Sequence, residues 1–348
     1  MALRPSTPST RRRVGLTGGV ALTAATVLLA SGCSVLNGSS GSSDSSGSNC
    51  GGLEKSTINV AAQPFVDAVP LYIAQQKGYF KQACLTVKIT QMPSATTILP
   101  KVHTGSIDIG EGNYASIIEA QIGKTGDYKF VAGASEGRPN SVEVMALPSA
   151  NINSAKDLAG KKVGINTLDD VLYCAFAAVL QANNVDLKGV TMVKVKHADI
   201  PQAIGNGTVQ AGLEVEPYKT EAARKYGARP VVDLFQGPAA NLPFNSYFAN
   251  SSFVQKDPKT VAAFVSALEK GAADANSNRK DVESVLPTIT GVDTTTASLV
   301  ALPNFPTTLS NKQVQRVSDL MHTYLPEDVP SPFDVSTMVW TPPAANGS

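Results

Sequence analysis

Six carboxylates stand where polar turns are expected to follow buried strands: Asp67, Glu111, Asp169, Asp170, Glu214 and Glu216. The same turns carry Gln63, Asn113, Asn166 and Thr167 and the rings of Tyr114 and Tyr218, and they hold no Lys or Arg. Acceptors beside flat aromatic faces, with no fixed cation among them, can grip a small molecule that bears N–H groups or positive charge. A small anion would meet like charge there, and one unpaired carboxylate in a desolvated slot costs several kcal/mol. Arg138, near an expected chain crossing, argues the other way. Asn245 and Tyr247 are weaker candidates for the same site.

Each of these residues also has an ordinary structural role open to it. Asp67 can cap the helix that follows, and a capping carboxylate keeps spare acceptor capacity. Asn113 can serve a turn and Tyr114 a core. Thr167 with Asp170 fits a capping box, whereas free helix N–H groups at the same point could hold an anionic head group. Glu214 and Glu216 can sit on a solvated strand-to-helix turn. No Ser/His/Asp or Cys/His constellation is present, and His103, His197 and His322 are scattered, with none in these turns. The expectation is therefore a binding protein, not an enzyme, with no cofactor and no metal.

The elements that position these turns form a disguised repeat. Gly105-Ser106-Ile107-Asp108-Ile109-Gly110 matches Gly207-Thr208-Val209-Gln210-Ala211-Gly212, each after a short helix-like segment and each opening a buried strand. Upstream, the strand at 57–62 parallels that at 161–165; apolar helices follow at 68–76 and 169–183, then second strands at 85–90 and 190–195. Alternating strands and helices predict two α/β lobes with parallel or mixed sheets. Ligands of such sheets sit beyond the carboxyl ends of the strands. Asp257-Pro258 starts one later helix, and Ser310 another whose Val314, Val317, Met321 and Tyr324 share a stripe. These are expected to cover the first lobe. Lobe I is then 55–140 plus 248–348 and lobe II 141–247, with crossings near 139–142 and 245–250.

The first residues address location. Arg11-Arg12-Arg13 precede an uncharged apolar run at 14–30 that ends in Ala30-Ser31-Gly32-Cys33. That layout is a bacterial secretory signal, and a run this short falls below the roughly 20 residues that span a bilayer. Cys33 after small residues resembles the lipobox of bacterial lipoproteins, which implies a signal peptide over 1–33 and a lipid on Cys33. The Ser/Gly-rich stretch within 34–54 cannot bury a core and is expected to tether the body at the outer face of the cell membrane. Thr10 to Leu16 loosely resembles a twin-arginine export signal, and the export route is left open. Without 1–33 the chain has 25 Lys plus Arg against 28 Asp plus Glu, a net charge of −3, so no nucleic-acid footprint is expected. Cys50 and Cys84 can pair after export or stay free, and Cys174 lies on an apolar helical stretch as a core thiol.

Several motifs carry a family resemblance across roughly 57–319. They are Asp67 to Ala74 continuing to Lys77-Gly78-Tyr79-Phe80, Gly105 to Gly110 with Gly112-Asn113-Tyr114, Asp157 to Val163, and Glu216-Pro217-Tyr218. In order and spacing the chain resembles the nitrate/sulfonate/taurine and thiamine-pyrimidine-precursor binding proteins of ABC importers. The resemblance implies a type II periplasmic-binding-protein fold: two α/β lobes joined by two crossovers, closing on a small-molecule solute and passing it to an ABC permease in the membrane. A tethered clamp of this kind is expected to act as a monomer. Cys84 stands where the family usually has Gly. The preferred solute is an aminopyrimidine-like molecule, with sulfonates as the competing class. Eukaryotic pyrimidine synthases share the fold, but their cysteine-rich motif is reduced here to Cys174 in Tyr173-Cys174-Ala175-Phe176. A ligand-sensing adaptor lipoprotein is the remaining alternative.

Overall fold

The computed structural model describes residues 52–342. The expected signal peptide, most of the tether, Cys33 and Cys50 lie outside the described residues. Ten strands run in chain order: β1 (Thr57–Ala62), β2 (Thr86–Gln91), β3 (Ile109–Asn113), β4 (Tyr128–Glu136), β5 (Glu143–Ala146), β6 (Lys162–Ile165), β7 (Thr191–Lys194), β8 (Ala211–Glu214), β9 (Arg229–Asp233) and β10 (Pro243–Asn250). They build two five-stranded sheets of matching order, β2-β1-β3-β10-β4 and β7-β6-β8-β5-β9. Within each, the first three strands are parallel, and the fourth place is taken by a strand antiparallel to both its neighbours.

The repeat expected from sequence is present down to single side chains. Gly105 and Gly207 sit at φ +72 and +76, the left-handed region open to glycine, where each ends a short helix. Asp108 Oδ2 then accepts the N–H of Asn59 at 2.8 Å on β1, and Gln210 Oε1 accepts that of Lys162 at 2.9 Å on β6. Asp108 also pairs with Lys55 at 2.6 Å, a contact without a counterpart in the second lobe. Gly110 and Gly212 let the preceding helices lie close: a Cβ would come within 2.5 Å of Ile98 in one lobe and 2.3 Å of Ile200 in the other.

The helices Pro258–Ser277 and Arg279–Thr290 return to pack on Val69–Gln76 and cover the first sheet, as their apolar stripes require. Helix Asn311–Tyr324 departs from expectation. Instead of covering the first lobe alone, it packs against Tyr114–Ile122 of that lobe and Val171–Ala182 of the second. Its Val314, Val317 and Met321 join Phe176 and Leu180 in one apolar cluster. The first crossover spans 137–142. The second spans 234–242, earlier than the expected 245–250, because Pro243–Asn250 pairs along its length with the first sheet. The two crossovers touch: Gly137 N–H donates to Leu242 O at 2.8 Å, and the Phe235 ring occupies the space a Cβ at Gly137 would need.

Cys84 lies at φ +60, a conformation that favours glycine, and it is disulfide-bonded; the expected partner Cys50 lies outside the described residues. Cys174 is a buried free thiol, as expected. No helix among the described residues is long and apolar enough to cross a membrane.

Replacing Gly212 by Ala drives a methyl group into Ile200. The expected outcome is a loss of about 1–3 kcal/mol, the usual cost of overpacking, read as a lower urea midpoint with an unchanged slope.

Candidate ligand-binding site

The carboxyl ends of β1 and β3 bury two acids together. Glu111 is fully buried, its Oε2 accepting the Gln63 N–H at 2.7 Å while Oε1 has no partner. Asp67 is also buried and accepts from the Ser135 hydroxyl on β4 and from the Asn245 side chain on β10. It lies within a one-turn helix, Val66–Ala68, and its side chain caps no helix among the described residues. The Tyr247 hydroxyl, fully buried near both acids, has no partner either. Gln63, Asp67, Asn245 and Tyr247 are thus gathered around Glu111.

In the second lobe Glu214 is fully buried and neither of its oxygens is hydrogen-bonded among the described residues. Glu216, by contrast, is fully engaged. Its carboxylate accepts from Thr220 N at 3.2 Å, from Thr220 Oγ1 at 3.0 Å and from Ala301 N of the first lobe at 2.9 Å. Lys219, absent from the turns marked out by sequence, pairs with Glu143 at 2.9 Å and Glu216 at 3.5 Å. Those two acids are therefore compensated, whereas Asp67, Glu111 and Glu214 are not.

Aromatic rings meet across the lobes. Phe65, in the turn after β1, makes edge contacts with His197 at 5.8 Å and Tyr218 at 6.3 Å, and His197 lies parallel to Tyr218 at 6.4 Å. Sequence reading missed His197 and Phe65. His197 lies in the turn after β7, which is parallel to β6, so its carboxyl end faces the same way. Extending the strand-end rule to every parallel strand would have included it. The His197 Nδ1 is buried without a partner.

The other expected residues divide. Asn113 caps helix Tyr114–Ile122 by accepting from Ala115 N at 2.8 Å, and Tyr114 is buried against Phe130 at 4.8 Å, which is the core role. Asp170 is the N-cap of Val171–Ala182, accepting from Tyr173 N at 2.8 Å, and thereby takes up a donor that an anionic head group would need. Thr167 donates its hydroxyl to Asp169 in place of a capping box. Asn166 is half-buried and its side chain is unengaged among the described residues. No group of three or more His, Cys, Asp or Glu among the described residues could hold a metal.

Burial sets the electrostatics. It pushes Glu111 up to about 8, helped by the charge of Asp67, and raises Asp67 despite its hydrogen bonds to Ser135 and Asn245. It raises Glu214 strongly, helped by Glu216 and Glu221, and lowers His197 to about 4. At neutral pH Glu111 therefore keeps its proton and His197 has none. A carboxyl raised in the folded state loses stability as pH climbs from its unfolded value through its folded one. An imidazole lowered in the folded state loses stability as pH falls below its unfolded value. Glu111 thus weakens the fold between about pH 4.5 and 8 as pH rises. In Glu111→Gln the melting temperature should fall less between pH 6 and 9 than in the parent protein, as read by differential scanning calorimetry. An identical decline in both would contradict the assignment.

Comparison with known proteins bears on the family and the fold. The family described as NMT1/THI5 like matches residues 66–281. The 4-amino-5-hydroxymethyl-2-methylpyrimidine phosphate synthase THI13 of Saccharomyces cerevisiae is 23% identical over 234 residues, 62% of this chain and 66% of the relative. A Bacillus subtilis protein named for binding aliphatic sulfonates is 25% identical over 229 residues, 62% and 67% of the two chains. The periplasmic aliphatic sulphonate binding protein SsuA of Escherichia coli superposes with a TM-score of 0.70 at 18% identity, over 82% of this chain and 98% of that one. The periplasmic nitrate-binding protein NrtA of Synechocystis gives 0.66 at 14% identity, over 82% and 86%. What is shared with SsuA and NrtA is the two-lobed periplasmic-binding-protein fold. With matched lobes and a family match over most of its body, the chain belongs to the NMT1/THI5 like family.

Proposed function

We propose that the protein is an extracytoplasmic solute-binding lipoprotein of an ABC importer, anchored through Cys33, that closes on a small planar nitrogenous solute. The single observation that carries the solute class is the pairing of uncompensated buried acids with rings that meet across the lobes. Asp67 and Glu111 supply acceptors, and the proton kept on Glu111 adds a donor; Phe65, His197 and Tyr218 supply flat faces. Such a set matches the edge and faces of an aminopyrimidine, because a ring between aromatic faces gains about 0.5–1.5 kcal/mol per pair beyond area. The predicted contacts are Gln63, Asp67, Asn166, Glu214 and Tyr218, joined by Phe65, Glu111 and His197. Asn113, Tyr114, Thr167, Asp170 and Glu216 support the walls.

The competing reading is a pyrimidine-synthase-like enzyme. It draws on the synthase named among the relatives and on the buried, unpartnered His197 nitrogen. Against it, no nucleophile is hydrogen-bonded to that imidazole among the described residues. Turnover of a pyridoxal-derived substrate by the purified protein would decide for it. A sensor or adaptor role uses the same clamp, and adjacent permease and ATPase genes separate an importer subunit from it.

A thermal-shift panel of aminopyrimidines, alkanesulfonates, nitrate, polyamines and amino acids tests the solute class. An aminopyrimidine is expected to raise the melting temperature, and Tyr218→Ala should weaken its binding about 3- to 10-fold, the equivalent of one aromatic pair. Tight alkanesulfonate binding with no heterocycle response in calorimetry would overturn this solute class.

A further inference from the structure

A cavity of about 400 Å³ lies at the first crossover, and its lining includes none of Phe65, His197, Tyr218 or the buried acids. Its walls are Arg138 and Asn140 of the crossover, Ser277 and Arg279 at the junction of two first-lobe helices, and Ala301. The volume falls within the range of small-molecule pockets. Arg138 is exposed, and its guanidinium makes no hydrogen bond or ion pair among the described residues. Its backbone is fixed: Arg138 N–H donates to Ser141 Oγ at 3.1 Å, and that hydroxyl donates back to Arg138 O at 2.7 Å. The Asn140 side-chain amide is likewise unengaged. Arg279 holds the carbonyls of Val300 and Ala297 at 2.7 and 2.9 Å, with Glu283 at 3.0 Å as its only acid partner among the described residues. Asp233, a carboxylate bonded to this crossover, is spent on the N–H groups of Asn140, Phe235 and Gln236.

We infer that this cavity is an oxyanion seat, in which the Arg138 guanidinium and the Asn140 amide hold a sulfate-, sulfonate- or phosphate-type group. A guanidinium presents a fork of donors that fits two oxygens of such a group. The seat shares no residue with the candidate ligand-binding site and does not rest on the solute proposed for it. It is also tied to closure. The Asn140 carbonyl accepts from the Lys219 ammonium, and the Ala301 N–H donates to Glu216, so both flanking walls are pinned to the same turn of the second lobe. An anion in the seat is expected to favour the closed arrangement.

The test uses the purified full chain with inorganic sulfate and a short alkanesulfonate titrated separately, each against chloride at equal ionic strength. Sulfate is expected to raise the melting temperature above the chloride control and to reduce the radius of gyration in X-ray scattering. Arg138→Gln should weaken the anion at least about tenfold, the loss of a charge-assisted hydrogen bond. Asn140→Gly, which keeps the backbone carbonyl used by Lys219, should weaken it less. A response to both anions supports a seat for free oxyanions; a response to the alkanesulfonate alone, lost in Arg138→Gln, supports a seat for the acidic group of a solute. Shifts with both sulfate and the alkanesulfonate no larger than with chloride, or an anion response unchanged in Arg138→Gln with native melting behaviour, would overturn it.

Discussion

The fourth place in each sheet governs the rest of the architecture. In the first sheet it is filled by β10, a strand that arrives from the second lobe; in the second it is filled by β5, which arrives from the first. Both run against their neighbours, and both hydrogen-bond on two sides. An incoming strand placed inside the sheet cannot peel away without breaking two ladders. Each lobe therefore anchors one end of the link to the other, and both links pass the side where the parallel strands end. The turns that carry polar chemistry are held opposite one another by that exchange.

Charge follows from the same constraint. Strand ends at a shared seam lose water from both sides, so acids placed there either find partners or keep their protons. The second lobe uses the first solution at Glu143 and Glu216, through Lys219. The first lobe uses the second solution at Glu111, with Asp67 held by neutral donors from β4 and β10. Glu214 has neither lysine nor hydrogen bond and is raised by burial. The outcome is a seam whose two sides differ in how they handle charge, although their backbones match. That contrast separates what positions the site from what can address a ligand.

Much of the framework was legible in the chain because the repeat is written in residues with backbone consequences. Gly105 and Gly207 need left-handed turns, and Gly110 and Gly212 need close helices, so the two halves announce the same geometry. Side-chain roles were harder to read. Asp170 and Asn113 look alike in sequence to residues that face a ligand, and only the observed caps distinguish them. His197 and Phe65 were passed over because neither belongs to a motif, although both follow the ends of parallel strands; their pairing comes from three rings brought together from distant parts of the chain. The second crossover was misplaced for a related reason: β10, with its Phe, Tyr and Asn, gives no sign in sequence that it lies inside the other sheet. Lys219 escaped notice because it stands one residue beyond the turn, where only the helical twist returns it to Glu216.

Helix Asn311–Tyr324 bears on how far the jaws can part. Its apolar stripe is shared between Tyr114–Ile122 on one side and Val171–Ala182 on the other, and the Tyr324 hydroxyl reaches Gln181. A wide hinge rotation would strip Val314, Val317 or Met321 from one of those partners and hydrate it. The helix would thus oppose a wide separation of the lobes, because separation exposes hydrocarbon to water. That shared stripe ties the two lobes together through a helix near the end of the described residues.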